Sequence, residues 1–382
     1  MRKVLIIGAG IGGLTATLAL RQAGFDVQVF EAVPEIKVVG AGLAVWSNAL
    51  YALRQVGLAD AVRAVGMPAA SRVIRAVSGG VLTKVQVNQI GAGEDAPLLH
   101  LHRGDLQGVL MKAVGAATIQ TGARCIDFRQ DETGVWARFA DGREIEGDLL
   151  VGADGVHSVI RRKLFRTARL RFVGQVSWRG LARIDDKRLA AGEAGETWGV
   201  GQRIGLIPMR HGGVYWFLTR NVSPSAEVQN TALEMKQHMQ KLVRGWHEPI
   251  PSMIQATEAQ TIIRTDLNEL EPLERWRRGR VVLLGDAAHA MTPNLGQGAC
   301  QAIEDAVTLG QCLQAVEDIE TALDLYEKKR VERVGQVVAD SRRFGEVAHD
   351  EVSPPCLLSR EPFQDLFRGL YMEPLERIVK QM

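Results

Sequence analysis

Apolar residues fill positions 4–7 without a break, and glycines then interrupt the run at 8, 10, 12 and 13. So short an all-apolar run predicts a parallel strand buried on both faces. Residues 14–23 have helical composition and end at Gly24, and residues 26–30 alternate into a second strand closed by Glu31. Strand, glycine turn, helix, strand and acid make a βαβ unit of roughly 30 residues. Residues 38–44 then form a second glycine-bearing loop, and 48–66 read as one helix. Alternation over 72–89 around Gly79 and Gly80 predicts a hairpin. A helix is expected at 103–115, followed by a meander over 125–151 that feeds a buried strand at 149–151. From 172 to 263 the pattern changes. Short alternating segments at 176–184 and 203–219, with one helix near 231–244, predict a mixed, mainly antiparallel sheet. The opening pattern returns with a buried strand at 281–284, a glycine and a long helix from 297. The tail, 346–382, is expected to be helical and to pack on the outside.

Composition narrows the class. With 46% hydrophobic and 24% charged residues, the 382-residue chain is globular and not disordered, collagenous or a simple coiled coil. Lysine and arginine number 46 against 44 acids, so net charge gives no reason to expect nucleic acid or a membrane surface as partner. The four cysteines (Cys125, Cys300, Cys312, Cys356) are too few and scattered for a disulfide framework, and read as reduced thiols. The histidines lack metal-ligand spacing, and no metal is expected. The apolar run at 4–7 is shorter than the ~7–15 residues of a signal-peptide core, and nothing approaches the ~18 of a membrane span. A cytoplasmic protein is expected.

Glycine, at 40 residues, is in excess, and three glycine–acid sites account for its interest. The first is Gly8-Ala9-Gly10-Ile11-Gly12-Gly13 with Glu31. Gly8 allows a tight turn, Gly10 lets a pyrophosphate approach the backbone, and Gly13 lets helix and strand pack closely. The helix start offers free N–H groups and a positive dipole end. Glu31 falls roughly twenty residues after the first glycine, where a carboxylate accepts the hydrogens of a ribose diol. The bland alternative, a turn that only packs a helix, leaves Glu31 unexplained. The second site is Val151-Gly152-Ala153-Asp154-Gly155, running on through Ser158 to Arg161 and Arg162. The third is Gly285-Asp286-Ala287-Ala288-His289, continuing through Pro293-Asn294-Leu295-Gly296-Gln297-Gly298 into a helix. For Asp154 and Asp286 the competing reading is a helix N-cap. His289 reads either as a donor to a phosphate or substrate, or as a hydrogen-bonded structural histidine.

These three motifs in order, together with Arg103 in His102-Arg103-Gly104-Asp105, resemble the single-component FAD-dependent aromatic hydroxylases, which share the fold of para-hydroxybenzoate hydroxylase. The resemblance spans residues 1–345. It implies an α/β fold: a Rossmann-like FAD-binding domain in two parts (1–171 and 269–345) and an inserted mixed or antiparallel β-sheet substrate domain (172–268), with the helical tail (346–382) read from the sequence beyond it. It implies adenosine at Glu31 and Ala32, pyrophosphate over Gly8 to Gly13, and Ala44 and Arg103 near the flavin. Asp286 would hold the ribityl chain, and Leu295, Gly296, Gln297 and Gly298 would face the pyrimidine end of the ring. Cys125 matches a position whose backbone touches adenine, and Asp154 one that serves FAD and NAD(P)H. NADH or NADPH would reduce the flavin as a transient visitor, and O2 would deliver oxygen to the ring through a C4a-hydroperoxide. The substrate would be a small aromatic or heteroaromatic ring, and the protein a monomer or homodimer.

Within that family, Glu31-Ala32-Val33, Ala44-Val45-Trp46 and Trp178 before Gly180 resemble the FAD-dependent urate hydroxylases. The resemblance makes Arg203 and Tyr215 the substrate-orienting pair, beside Pro293 and Asn294. Arg203 would grip an anionic ring by two parallel hydrogen bonds; otherwise it is a surface arginine on a strand and Tyr215 a core aromatic. One position departs: the subfamily has aspartate where this chain has Asn294. An amide cannot ionise, so a role as base is lost, and neutral or differently charged phenols, quinolones and other heteroaromatics fit at least as well as urate. The segment 39–53 also resembles carotenoid epoxidases, which leaves epoxidation of an isoprenoid double bond open. A flavin-binding sensor without turnover is the third reading.

Overall fold

The apolar run at the amino terminus folds as strand Lys3–Ile7, and Val4, Leu5 and Ile6 are fully buried. It is a computed structural model that carries this description, covering residues 2–36, 42–87, 98–223, 231–352 and 354–380. Positions 38–41 of the expected second glycine loop and the last two residues of the tail lie outside the described residues. Lys3–Ile7 sits inside a six-stranded sheet in the order Arg277–Arg278, Val281–Leu283, Leu149–Gly152, Lys3–Ile7, Asp26–Phe30, Ile119–Gln120. All pairs are parallel except the short edge strand Arg277–Arg278. Ile7 pairs with Gly152, and Gly152 with Leu283. That register brings all three glycine–acid motifs, far apart in sequence, to one edge of one sheet.

The first helix, Ile11–Gln22, starts inside the glycine fingerprint and not at Leu14. Glycine is required there by contact as well as conformation. Gly8 has φ +110°, and a Cβ on Gly13 would overlap the Gly8 carbonyl. The expected helix over 48–66 is two, Ser47–Gln55 and Ala59–Val65. The meander is an antiparallel trio, Cys125–Gln130, Val135–Phe139 and Glu144–Gly147.

The second large sheet has seven strands, in the order Ile263–Leu270, Leu170–Ala182, Val214–Asn221, Gln202–Pro208, Glu193–Gly199, Ser71–Ala76, Val81–Gln86. The hairpin turning at Gly79 and Gly80 forms as expected but joins this sheet, through a parallel pairing of Ser71–Ala76 with Glu193–Gly199. Period two sorts the faces. Val176, Trp178, Ile204, Trp216 and Leu218 pack with Met239 and Met253 from helices Ala232–Leu242 and Ile250–Ala256. The alternate residues face the first sheet.

The tail corrects an expectation. Helix Ile319–Ala348 runs straight through residue 345, and helix Arg360–Phe367 is not an external appendage. Phe363 is 1% exposed and stands edge-on to Trp198, with ring centroids 5.2 Å apart. Burying such a ring contributes about 2–3 kcal/mol.

One buried carboxylate fixes the third glycine turn. Asp305, on helix Gly298–Ala315, accepts the Gly285 N–H at 3.0 Å and His289 Nε2 at 2.6 Å on one oxygen. Its other oxygen accepts Arg330 Nε at 2.7 Å, and Arg330 also bonds Glu304 and Gln301. Gly285 has φ +59°, so the turn needs both glycine and this anchor. Burial raises the Asp305 carboxyl, but His289 and Arg330 outweigh it and hold the group down at about 2. A carboxyl depressed in the folded state stabilises the fold above its ordinary value and loses that contribution as pH falls toward 2. We expect Asp305→Asn to lower the thermal midpoint by several degrees and to flatten the loss of stability between pH 4 and pH 2 by about 2 kcal/mol; melting curves across that range check both.

Candidate active site

The carboxyl edge of the first sheet ends in turns made largely of backbone. Gly10 caps helix Ile11–Gln22 with no side-chain hydrogen bond, and no acid occupies its first turn. A Cβ on Gly10 would meet nothing within 4 Å. Helix Gly298–Ala315 likewise starts with no side-chain cap among the described residues. Two helix starts with free N–H groups therefore flank an open backbone surface, which is what a pyrophosphate and the electron-rich edge of a flavin ring require. The residues present fit FAD.

Opposite this edge stands the alternate face of the second sheet, and the two enclose a cavity of about 350 Å³. Gly10, Ile11, Gly12, Ala44, Arg103 and Asp286 line it from the nucleotide side, with Pro293, Asn294, Leu295, Gly296 and Gly298 beside them. Arg203 and Tyr215 line it from the sheet. Sequence-predicted residues from six chain segments thus meet in one space.

Others do not reach it. Gly8, Gly13 and Ala32 are not among its lining residues. The Glu31 carboxylate is tied by the N–H groups of Ala9 at 2.9 Å and Val33 at 3.1 Å, fixed at the strand end where it was expected. Gln297 turns away from the cavity to bond Asn48 and Gln301. Cys125 is buried, with its thiol pushed up to about 12 by burial. Asp154 is not the N-cap of helix Val159–Leu164, which is Ser158, but it serves the same helix start: one oxygen accepts Val159 N–H at 2.7 Å and Ile160 N–H at 3.2 Å. Its second oxygen is buried without a partner among the described residues, and burial raises the carboxyl. The nearby Arg161 donates to the carbonyls of Val156, Asp286 and Ala287, stitching the second motif to the third. His289 takes its structural reading, on Asp305.

Arg203 departs most from expectation. It is 1% exposed, and its guanidinium fork is engaged: Nη1 donates to Glu196 Oε2 at 2.9 Å and Nη2 to Asn294 Oδ1. Glu196 also accepts from Trp198 Nε1 at 2.9 Å and Arg72 at 3.2 Å. Asn294 completes the chain by donating to the Ser341 carbonyl at 2.9 Å. An amide suits that place because it accepts on one side and donates on the other, which a carboxylate does not. Behind it, His349 donates Nδ1–H to Gly345 O and so receives the Thr219 hydroxyl on Nε2. Burial, with Arg203 nearby, lowers His349 to about 3, so the ring stays neutral. Tyr215 is pushed up to about 12 by burial, against the pull of Arg179.

Sequence reasoning missed Glu196, Arg72 and Arg179, all on the cavity. Alternation with the neighbouring strands was the available signal: Trp198 pairs with Arg203, which sets Glu196 diagonally across on the same face.

Comparison with known proteins agrees with this geometry. The profile of the family described as FAD binding domain matches residues 1–341. An aurachin C monooxygenase/isomerase of Stigmatella aurantiaca is 41% identical over 353 residues, 92% of this chain and 91% of that protein. An FAD-dependent urate hydroxylase of Klebsiella pneumoniae subsp. pneumoniae is 37% identical over 350 residues, 91% of this chain and 90% of that protein. The crystal structure of Klebsiella pneumoniae HpxO complexed with FAD and uric acid superposes with a TM-score of 0.88 at 34% identity, covering 100% of this chain and 95% of that one. The cavity lined by three glycine turns, the profile match and the relatives agree, and this chain belongs to the FAD binding domain family, among the single-component flavoprotein monooxygenases.

Proposed function

We propose that the protein hydroxylates a small, oxygen-bearing aromatic or heteroaromatic ring, using NAD(P)H and O2. One observation carries the reading: the cavity joins bare helix starts and glycine backbone on one wall to an arginine and tyrosine face on the other. In this reading the backbone from Gly8 to Gly13 holds the FAD pyrophosphate, with Glu31 and Ala32 at the adenosine ribose and Cys125 nearby. Asp286 holds the ribityl chain, and Ala44, Arg103 and the backbone of Leu295 to Gly298 hold the ring. Asp154 acts by fixing its loop. When bound, FAD supplies the redox chemistry and oxygen activation that no side chain offers.

The chain's own residues orient the ring and exclude water. Tyr215, Phe217 and Ile207 give the cavity apolar area, and the Arg203–Glu196–Asn294 chain stiffens its wall. Because its charge is met by Glu196, and Asn294 cannot ionise, Arg203 does not offer urate the charged grip expected from the subfamily. The polar sheet face equally weighs against an isoprenoid substrate. The four cysteines are free, which supports a reducing cytoplasmic setting. Among the described residues no helix is long and apolar enough to cross a membrane. We keep the division at 171/172 and 268/269, with the hairpin Ser71–Gln86 lent to the substrate sheet.

Two outcomes are expected. Gly10→Ala should fold with an unchanged melting midpoint, since its Cβ meets open space, yet weaken FAD binding by about tenfold or more by crowding the pyrophosphate; Gly13→Ala should disrupt the fold itself. Fluorescence titration of apoprotein with FAD, beside melting curves, checks the contrast. A screen of phenols, aromatic acids, purines and quinolones should find a ring that speeds NAD(P)H oxidation by about tenfold. If no ring accelerates flavin reduction, the sensor reading replaces ours.

A further inference from the structure

Two arginines share the cavity face of the second sheet, on the strands flanking Val214–Asn221. Arg203 stands opposite Thr219, and Arg179 opposite Phe217. Their surroundings differ in kind. Arg203 is sealed between Glu196 and Asn294, so its charge is compensated and both terminal nitrogens are engaged. Arg179 is only partly buried, and its Nη2 donates to the hydroxyl of Thr265 at 2.6 Å. Tyr215 lines the same cavity beside it, close enough for the Arg179 charge to act on its hydroxyl. Among the described residues no carboxylate pairs with Arg179, and its Nε–H has no partner. A guanidinium that rests on neutral hydroxyls keeps its full charge available to a ligand. Tyr215 retains its proton, so it offers an O–H beside that charge. The remaining charged groups on the cavity are Arg72, Glu196 and Arg203 on the sheet and Arg103 and Asp286 on the glycine side, while His349 behind Thr219 is neutral.

We propose that Arg179, with Tyr215, binds the oxygen of a ring hydroxyl and holds it as the oxyanion, making Arg179 the specificity-determining cation of the site. The substrate O–H bond breaks, its proton leaves to solvent, and the negative charge stays on the ring oxygen facing Arg179. That charge enriches the ring in electrons, which attack by an electrophilic oxygen requires. The substrate class narrows to rings carrying an ionisable hydroxyl or its ring-carbonyl tautomer. Arg203 serves as a wall, which explains how Asn294 can replace an acid without leaving the site short of charge.

The inference rests on the monooxygenase reading, yet its test does not depend on turnover. Phenol, 4-nitrophenol, 2-hydroxypyridine and 4-hydroxyquinoline, each against its O-methyl ether, are titrated into the FAD-loaded protein while the flavin absorption band is followed from pH 6 to pH 10. At least one pair should show the hydroxyl compound binding about 10- to 100-fold tighter than its ether, with the preference growing as pH passes the free ring's own ionisation. Arg179→Gln should retain FAD, bring the ratio near one and remove its pH dependence; Arg179→Lys should keep most of it. Absence of a pH-dependent preference in the wild type overturns the proposal, even if Arg179→Gln fails to hold FAD. So does a preference that survives Arg179→Gln but vanishes in Arg203→Gln. If a ring speeds NAD(P)H oxidation while no pair discriminates, the monooxygenase reading stands and this assignment falls.

Discussion

Parallel pairing of three strands sets the terms for everything else in this molecule. With Ile7 beside Gly152 and Gly152 beside Leu283, three turns separated by well over a hundred residues finish at the same height. Each then has to turn away from the sheet within a few residues without side chains blocking the edge. That is why glycine recurs there, and why a methyl on Gly13 would run into the Gly8 carbonyl. The third turn needs more than glycine. Its backbone N–H is held by Asp305, a carboxylate with no solvent around it and with His289 and Arg330 on two sides. Removing that anchor would loosen the loop that carries Asp286 into the cavity.

Much of this was readable because local chemistry and long-range structure ask for the same residues. The turn at Gly8 to Gly13 is marked by composition, by the apolar strand before it and by the acid that follows, and all three are present where expected. Alternation announced strands Leu170–Ala182, Gln202–Pro208 and Val214–Asn221 of the second sheet and the hairpin at Gly79 and Gly80, but not strands Glu193–Gly199 and Ile263–Leu270. What alternation could not convey was partnership between strands distant in sequence, and so the hairpin's place in the substrate sheet was missed. The same gap hid Glu196. A glutamate in an alternating segment looks like a solvated face until its cross-strand neighbour is known to be a buried arginine. The tail was misjudged because a few spaced apolar residues, Phe363, Phe367, Met372 and Ile378, decide that it packs inward, Phe363 against Trp198.

Charge compensation is what separates one arginine of the site from another. An arginine paired with a buried carboxylate mostly offsets its own desolvation and lends little attraction to a ligand. One resting on hydroxyls keeps it. An amide at position 294 therefore reads as part of a consistent arrangement: the wall of Arg203, Glu196, Asn294 and Ser341 satisfies itself, and recognition moves across the strand.

The most direct measurement is a crystal structure of the protein grown with FAD. The account predicts one flavin per chain, its pyrophosphate over the start of helix Ile11–Gln22, its ribityl chain at Asp286, and its ring between Leu295–Gly298 and the face bearing Tyr215. Density for FAD elsewhere, or a cavity that stays empty with the cofactor in excess, would contradict it.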